Sequence, residues 1–132
     1  MTETNTQTTA GFDAIQREQF VVLTTYRRNG ESMPTTVWFA EQNGRIYITT
    51  NNGAGKVKRI KNNAAVTIAP SDRVGNIHGP AIAAHARMLP PEEARIASSA
   101  LEAKYGETYV QITSRMDSGE YGVRGFMELA PA

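Results

Sequence analysis

The chain has 132 residues, and its 14 lysines and arginines nearly balance its 13 aspartates and glutamates, giving a formal net charge of +1 at pH 7. This length suits one domain with one core, and the near-neutral balance provides no global field that would attract nucleic acid or an acidic membrane surface. With no cysteine and only two histidines, the chain also lacks a disulfide framework and the usual ligands of a zinc or iron centre.

The first ten residues are polar and contain neither a lysine, an arginine nor an apolar stretch. They therefore match neither a secretory signal nor a transit peptide. No apolar run approaches the roughly 18 residues of a membrane span. We expect a disordered tail at 1–10, a single domain at 11–132 and a cytoplasmic protein.

Apolar side chains at helical spacing predict a short helix at 12–19, before the pattern changes to β-branched and aromatic runs. Asn29-Gly30 and Asn43-Gly44 interrupt these runs, and Asn-Gly is favoured in tight hairpin turns. The segment therefore predicts an antiparallel meander of three strands, at roughly 20–28, 33–41 and 45–50.

The second half continues the β-rich pattern with helices between strands. Val57 and Ile60 predict a short amphipathic helix, and Pro91 with two following glutamates marks the start of a longer one. Residues 107–118 fit a strand or a helix, and Gly122 and Gly125 suggest a bend or bulge in the last strand. The predicted elements are a helix at 56–62, a strand at 64–70, a loop at 71–80, a strand at 80–89, a helix at 91–104 and a strand at 121–132.

Six strands, two or three helices and no βαβ alternation predict a mainly β protein, an antiparallel barrel with peripheral helices. A parallel doubly wound sheet is disfavoured.

The stretch from Ile46 to Lys61 is the first candidate site, because a strand ending in two threonines passes through a glycine-containing turn into a basic helix. Thr49 and Thr50 bring hydroxyls and Lys56 brings a cation to a helix start, where unpaired N–H groups favour an anion. The segment therefore predicts a phosphate cradle. A surface turn with a solvated basic helix explains the same residues.

The four cations from Lys56 to Lys61 also raise the alternative of a nucleic-acid stripe. Aromatic residues for base stacking are not interleaved with them, and on a short helix they point in different directions. A solvated face with one inward lysine is the better interpretation.

Trp38, the only tryptophan, lies in the second strand and is either a packing anchor or a wall beside a planar cofactor. His78 and His85 have no serine, cysteine or carboxylate arranged for nucleophilic catalysis. We assign neither histidine a catalytic role, and we predict no metal site.

The segments TTYRRNGESMPTTVWF, GRIYITT, GKVKRIKNNAAVTIAPSDRVG, ARML and AKYG cover about residues 20–106. They resemble the split-barrel flavin and deazaflavin oxidoreductases related to pyridoxamine 5′-phosphate oxidase. The nearest group looks like the one that uses the 8-hydroxy-5-deazaflavin coenzyme F-420. The resemblance implies a six-stranded antiparallel split barrel of the FMN-binding type and a homodimer with the cofactor in a groove between subunits.

The same resemblance implies cofactor-binding residues. The part that holds the cofactor phosphate corresponds to Lys56, Val57, Lys58 and Arg59, and the strand end beside it corresponds to Thr49 and Thr50. The strand along the ring system corresponds to Thr35, Thr36, Val37 and Trp38, and the loop that reaches the cofactor from the partner subunit corresponds to Arg73 to Gly75. Ala54-Gly55 departs from the Ser or Arg of many relatives, so the phosphate grip is expected to depend more on backbone N–H groups.

Two functions follow from this resemblance. The first is an oxidoreductase in which bound deazaflavin (coenzyme F-420), or alternatively FMN, passes a hydride to a small organic acceptor. The cofactor carries the difficult step in such chemistry, so no catalytic side chain is required. The second is a non-catalytic protein that binds or stores a flavin, a deazaflavin or a tetrapyrrole. The choice of cofactor and the identity of the acceptor stay open at this point.

Overall fold

The computed structural model describes residues 12, 15, 18–51, 54–115 and 124–132. The predicted tail at 1–10, most of the predicted helix at 12–19 and Gly122 lie outside this range. Within it the chain forms seven strands and three helices. The strands are β1 (Phe20–Tyr26), β2 (Ser32–Trp38), β3 (Ala40–Gln42), β4 (Arg45–Asn51), β5 (Ala65–Ser71), β6 (Ile82–Met88) and β7 (Arg124–Pro131), and the helices are α1 (Gly55–Asn62), α2 (Pro91–Tyr105) and α3 (Glu107–Arg115).

The two Asn-Gly dipeptides form different turns. Asn43 and Gly44 both have positive φ, at 55° and 77°, and they join Gln42 of β3 to Arg45 of β4 in the predicted tight hairpin. The first hairpin is wider than predicted, because the Arg27 N–H donates to the Glu31 carbonyl at 2.9 Å and encloses a three-residue loop. Strand β1 therefore ends at Tyr26 and not at residue 28.

All seven strands form one antiparallel sheet in the order β2-β1-β5-β6-β7-β4-β3. The two edge strands, β2 and β3, are separated along the chain by Phe39 alone. With one connecting residue, the ends of the two strands at Trp38 and Ala40 are at most about 7 Å apart, so the sheet has to curl until its two edges meet. The mainly β split-barrel class predicted from the sequence is confirmed. The predicted single strand at 33–41 is wrong in one detail, because it breaks at Phe39 as the chain passes from one edge to the other.

Inside the curled sheet, alternate side chains of the strands pack into one apolar core. Phe12 and Ile15 also belong to this core, as does Phe39 at the strand break. Helix α1 packs against β1 and β6 and adds Ile60 to it. The core residues with no exposed surface include Ile15, Val21, Leu23, Phe39, Ile46, Ile48, Ile68, Met127 and Leu129.

Helix α2 covers the outer face of β3, β4 and β7, and α3 packs against α2. Ala97, Ala100 and Leu101 of α2 meet Tyr47 and Phe126 of the sheet in a second apolar cluster. Residues 107–115 are helical, so the choice left open by the sequence between strand and helix is decided by packing on α2. Among the described residues, no helix has both the length and the apolar character to cross a membrane.

Candidate functional site

Among the described residues, the start of α1 has neither a side-chain cap nor an acidic residue in its first turn. Ala54 occupies the cap position without a side-chain hydrogen bond, and the first turn contains no acidic residue. The N–H groups of Val57 and Lys58 donate to the Ala54 carbonyl at 3.1 and 3.5 Å. Those of Gly55 and Lys56 precede the first intrahelical bond and point outward from the helix start. This end of α1 therefore offers donors and a positive dipole end without a built-in anion.

Two cations lie at this helix start. The side chain of Lys56 is half-buried, and burial lowers the pKa of its ammonium, with the charge of Arg59 lowering it further. The Arg59 Nε donates to the Thr25 Oγ1 at 2.6 Å, and the Arg59 Nη1 lies 2.8 Å from where a Cβ on Gly55 would stand. The guanidinium is thus held over the helix start. An anion bound there would relieve the repulsion between the two cations.

The remaining predicted residues of the basic segment have different environments. Val57 is buried, at 1% exposure, and its side chain packs under the helix. Lys58 is exposed to solvent. Of the four residues from 56 to 59, the structure brings Lys56 and Arg59 together at the helix start and turns the other two side chains away from it.

The threonine pairs do not act as pairs. Successive side chains of a strand point to opposite faces, so Thr49 and Thr50 are on opposite sides of β4. Thr50 is buried at 6% exposure, whereas the half-buried Thr49 donates its hydroxyl to the Gly125 carbonyl at 3.1 Å. The expectation that adjacent hydroxyls converge on one phosphate is therefore wrong for these side-chain orientations. Thr35 and Thr36 of β2 are separated by the same alternation.

The residues predicted along the second strand meet the predicted loop within the same chain. A Cβ on Gly75 would lie 2.8 Å from the Thr36 Oγ1, so the loop rests on β2. Val37 points into the core. Trp38 and Arg73 line one cleft of about 450 Å³, together with Gln19, Phe20 and Thr108. The predicted residues thus form two groups, one at this cleft and one at the start of α1, and no hydrogen bond or ion pair within the described ranges joins them.

Tyr105, which the sequence did not single out as a site, supports this cleft by packing against Trp38. Its ring stacks on Trp38 with centroids 4.5 Å apart and an interplanar angle of 11°. Its hydroxyl accepts the Phe39 N–H at 3.0 Å and donates to the carbonyl of Phe39 or Gln19, at 2.7 and 2.6 Å. Burial raises the pKa of Tyr105 to about 12, so this hydroxyl keeps its proton.

Lys104 supports the same region from the neighbouring position of α2. Its Nζ donates to the Glu18 carbonyl at 2.5 Å and lies 3.5 Å from the centroid of the Phe39 ring. Burial lowers its pKa to about 8. The only local sequence signal for this arrangement is the Lys-Tyr-Gly ending of the predicted helix, whose partners are more than 60 residues away in the chain.

The family model described as pyridoxamine 5′-phosphate oxidase matches residues 8–131, nearly the whole chain. The chain therefore belongs to the pyridoxamine 5′-phosphate oxidase-like family, whose split barrel is the fold described above. No curated protein matches it significantly.

Solved structures with the same fold differ widely in sequence. The conserved hypothetical protein Rv2991 from Mycobacterium tuberculosis aligns with a TM-score of 0.66 at 17% identity, over 90% of this chain and 76% of that one. The heme storage protein HutZ from Vibrio cholerae aligns with a TM-score of 0.69 at 14% identity, over 91% and 86% of the two chains. An FAD-binding protein from Mesorhizobium loti aligns at 0.63 and 12%, over 91% and 86%. At these identities the likeness is one of fold.

Proposed function

We propose that the protein is an oxidoreductase that binds a deazaflavin of the coenzyme F-420 type, or alternatively FMN, and passes a hydride to a small organic acceptor. Family membership supports a cofactor of this kind. The observation that carries the proposal is the start of α1, where an uncapped helix end and two cations stand without an acidic partner in the first turn. A helix end that violates the usual capping rules is typical of a functional site.

In this proposal the anionic tail of the cofactor binds at the start of α1. The Lys56 ammonium and the Arg59 guanidinium supply charge-assisted hydrogen bonds, and the N–H groups of Gly55 and Lys56 supply backbone donors. The donor set fits a phosphate, because it contains several donors and no carboxylate. When bound, the reduced cofactor would supply the hydride, while the chain binds it, orients it and excludes water.

Several of the other predicted cofactor contacts belong to the same proposal. Residues of β2 run beside the ring system, and the end of β4 lies next to the phosphate end. We further propose that the protein acts in the cytoplasm as a homodimer, with the groove completed by the second subunit. The backbones of Thr35, Thr36, Val37 and Trp38 on β2 and of Thr49 and Thr50 on β4 would line the cofactor, with Gly75 of the loop beside them. Val57 and Lys58, whose side chains point away from the start of α1, and Arg73, whose guanidinium lies in the separate cleft, are not among the proposed contacts.

Replacement of Lys56 tests the proposal. Lys56→Ala removes a half-buried ammonium from the anion site, whereas Lys61→Ala removes an exposed one from the far end of the same helix. A charge-assisted hydrogen bond contributes about 1.5–3 kcal/mol, so Lys56→Ala is expected to weaken binding of deazaflavin or FMN roughly 10- to 100-fold. Lys61→Ala should leave it unchanged. Fluorescence titration of purified protein measures both, and an unchanged dissociation constant for Lys56→Ala would contradict the site.

A pH profile adds a second readout. Because burial lowers the pKa of Lys56, the ammonium loses its proton at a lower pH than an exposed lysine does. Affinity for the anionic cofactor should therefore fall as the pH rises through that lowered pKa. Lys56→Arg keeps its charge throughout and should flatten the profile. A wild-type affinity that is constant to pH 10.5 would speak against a role for this charge.

Non-catalytic binding is the second candidate, because the chain shares its fold with the heme storage protein HutZ. In this chain His78 is half-exposed, with its Nε2 3.3 Å from the Glu18 Oε1, and His85 is exposed on β6. Tight binding of a flavin, deazaflavin or heme without turnover across a panel of acceptors would favour storage. Reduction of any acceptor by the reduced deazaflavin or FMN would favour the enzyme.

A further inference from the structure

The cleft beside Trp38 has the composition of a binding site for a small aromatic molecule. Its volume of about 450 Å³ lies within the usual range of ligand pockets. The ring of Phe20 meets that of Trp38 at 58°, with centroids 6.4 Å apart, and Tyr105 stacks beneath Trp38. The two walls form an aromatic corner, against which a further ring can stack or pack edge to face.

The described residues that line the cleft include one cation, Arg73, and no anion. Arg73 is exposed, and within the described part of the chain its guanidinium takes part in no hydrogen bond or ion pair. The polar side chains of Gln19 and Thr108 line the same cleft. A planar guanidinium pairs with a carboxylate through two parallel hydrogen bonds. A single guanidinium matches a single negative charge better than it matches a phosphate dianion.

The loop that carries Arg73 is held in place from both sides. The Asp72 Oδ1 accepts the N–H groups of Val74 and Asn76 at 3.0 and 2.9 Å, and the Asp72 Oδ2 accepts the Asn76 Nδ2 at 2.8 Å. Gly75 adopts a φ of 92° and lies against Thr36 of β2. The backbone of Arg73 is thus fixed next to the aromatic corner before any ligand arrives, which lowers the entropic cost of binding.

We propose that this cleft binds a planar aromatic carboxylate, with its ring against Phe20 and Trp38 and its carboxylate on Arg73. A member of this class whose ring is conjugated to an electron-poor double bond would then be the hydride acceptor of the enzyme. The hydride of the reduced cofactor would form a C–H bond at one carbon as the π bond breaks, and a proton from water would add to the other carbon, so that the cofactor is oxidised by two electrons and the double bond is reduced by two. The binding site stands on the geometry of the cleft alone, whereas the role as acceptor rests on the proposed function.

The first experiment uses cofactor-free protein with naphthalene-2-carboxylate as the probe and its uncharged amide as the comparison. Calorimetry gives the affinity, and the indole N–H signal of Trp38, the only tryptophan, reports the location by NMR. We expect the carboxylate to bind at least tenfold more tightly than the amide and to shift the indole signal. Equal affinities, no binding or an unmoved indole signal would each overturn the proposal.

Two matched arginine variants test whether the charge of Arg73 binds the carboxylate. Arg73→Gln should weaken binding of the carboxylate about tenfold, to the level of the amide. Arg95→Gln removes an exposed arginine from α2, outside the cleft, and should have no effect. If Arg73→Gln binds the carboxylate as the wild type does, the assignment is wrong.

Competition separates this inference from the proposed function. Lys56→Ala should bind the carboxylate normally, because its defect concerns the cofactor. If saturating deazaflavin or FMN displaces the carboxylate competitively, the cleft holds the cofactor ring and the inference is overturned while the proposed function stands. If the carboxylate binds but Lys56→Ala leaves cofactor affinity unchanged, the cleft stands and its role as an acceptor site falls.

Discussion

The hydroxyl of Tyr105 forms hydrogen bonds with the backbone of Phe39, where the chain passes from one edge of the sheet to the other. Phe39 leaves the ladder of β2 before β3 begins, so its N–H and carbonyl lack strand partners at that point. Tyr105 accepts the N–H at 3.0 Å and can donate to the carbonyl at 2.7 Å. Satisfying buried backbone groups is obligatory, so this tyrosine replaces part of the missing ladder.

Tyr105→Phe should therefore destabilise the protein. The substitution keeps the stacking on Trp38 but leaves the Phe39 N–H without its acceptor, which costs about 1–3 kcal/mol in the free energy of unfolding. Chemical denaturation followed by Trp38 fluorescence measures the change.

Tyr26→Phe is the matched control, because Tyr26 is half-buried at the end of β1 without a hydrogen bond from its hydroxyl within the described ranges. Its effect should stay within about 0.5 kcal/mol. Equal stabilities of the two variants would show that the Tyr105 hydroxyl contributes nothing beyond its ring.

At the scale of elements, α1 is a short helix whose first turn lacks the residues that usually stabilise a helix start. Lysine in the first turn faces the positive end of the helix dipole, and Ala54 provides no side-chain cap. Lys61 in the last turn is favourably placed by comparison, whereas the Arg59 guanidinium reaches back over the helix start. Packing of Val57 and Ile60 against the sheet keeps the helix in place, so its start is available for binding.

Gly55→Ala separates stability from binding at this helix start. Alanine is a better helix former than glycine by up to about 1 kcal/mol, so the free energy of unfolding should stay equal or rise. The added Cβ would meet the Arg59 Nη1 at 2.8 Å and displace the flexible guanidinium. Affinity for deazaflavin or FMN, measured by titration, should fall about three- to tenfold, the loss of part of one charge-assisted contact.

A double-mutant cycle shows whether the effect acts through Arg59. In an Arg59→Ala background, Gly55→Ala should cause no further loss of affinity, because the displaced group is already absent. Additive losses in the double variant would mean that Gly55 acts on the cofactor directly.

At the scale of the whole molecule, the curled sheet and its three described helices leave large apolar side chains outside both cores. Val74 is 76% exposed and Ile77 is 56% exposed, and both belong to the loop that borders the cleft. Two exposed branched side chains on one ordered loop are consistent with the proposed contact with a second copy of the chain. The groove for the cofactor would then depend on assembly.

Light scattering in solution should accordingly give twice the chain mass of 14.4 kDa. Val74→Asp places a charge in the proposed contact and should shift the protein toward the monomer, with a parallel loss of cofactor affinity. A wild-type monomer that binds deazaflavin or FMN at full affinity would contradict the shared groove.

Much of the architecture follows from local sequence patterns. β-branched runs, the Asn43-Gly44 turn and Pro91 at the start of α2 depend on backbone preferences of neighbouring residues, and the structure places strands and helices close to the predicted bounds. The basic start of α1 is also a local feature. The sequence indicated that the four cations of α1 point in different directions, whereas the structure brings Lys56 and Arg59, three residues apart on one helix, together at the helix start.

Tertiary packing decided the features that join distant parts of the chain. The break at Phe39 exists because the sheet closes, and a pattern of alternating residues cannot show where a strand changes partner. Which face each threonine takes depends on which side of the sheet holds the core. Tyr105 meets Phe39 and Trp38 across more than 60 residues of sequence. The sequence by itself thus determined the elements and the basic start of α1, whereas the aromatic cleft arose only when the folded sheet brought its separate walls together.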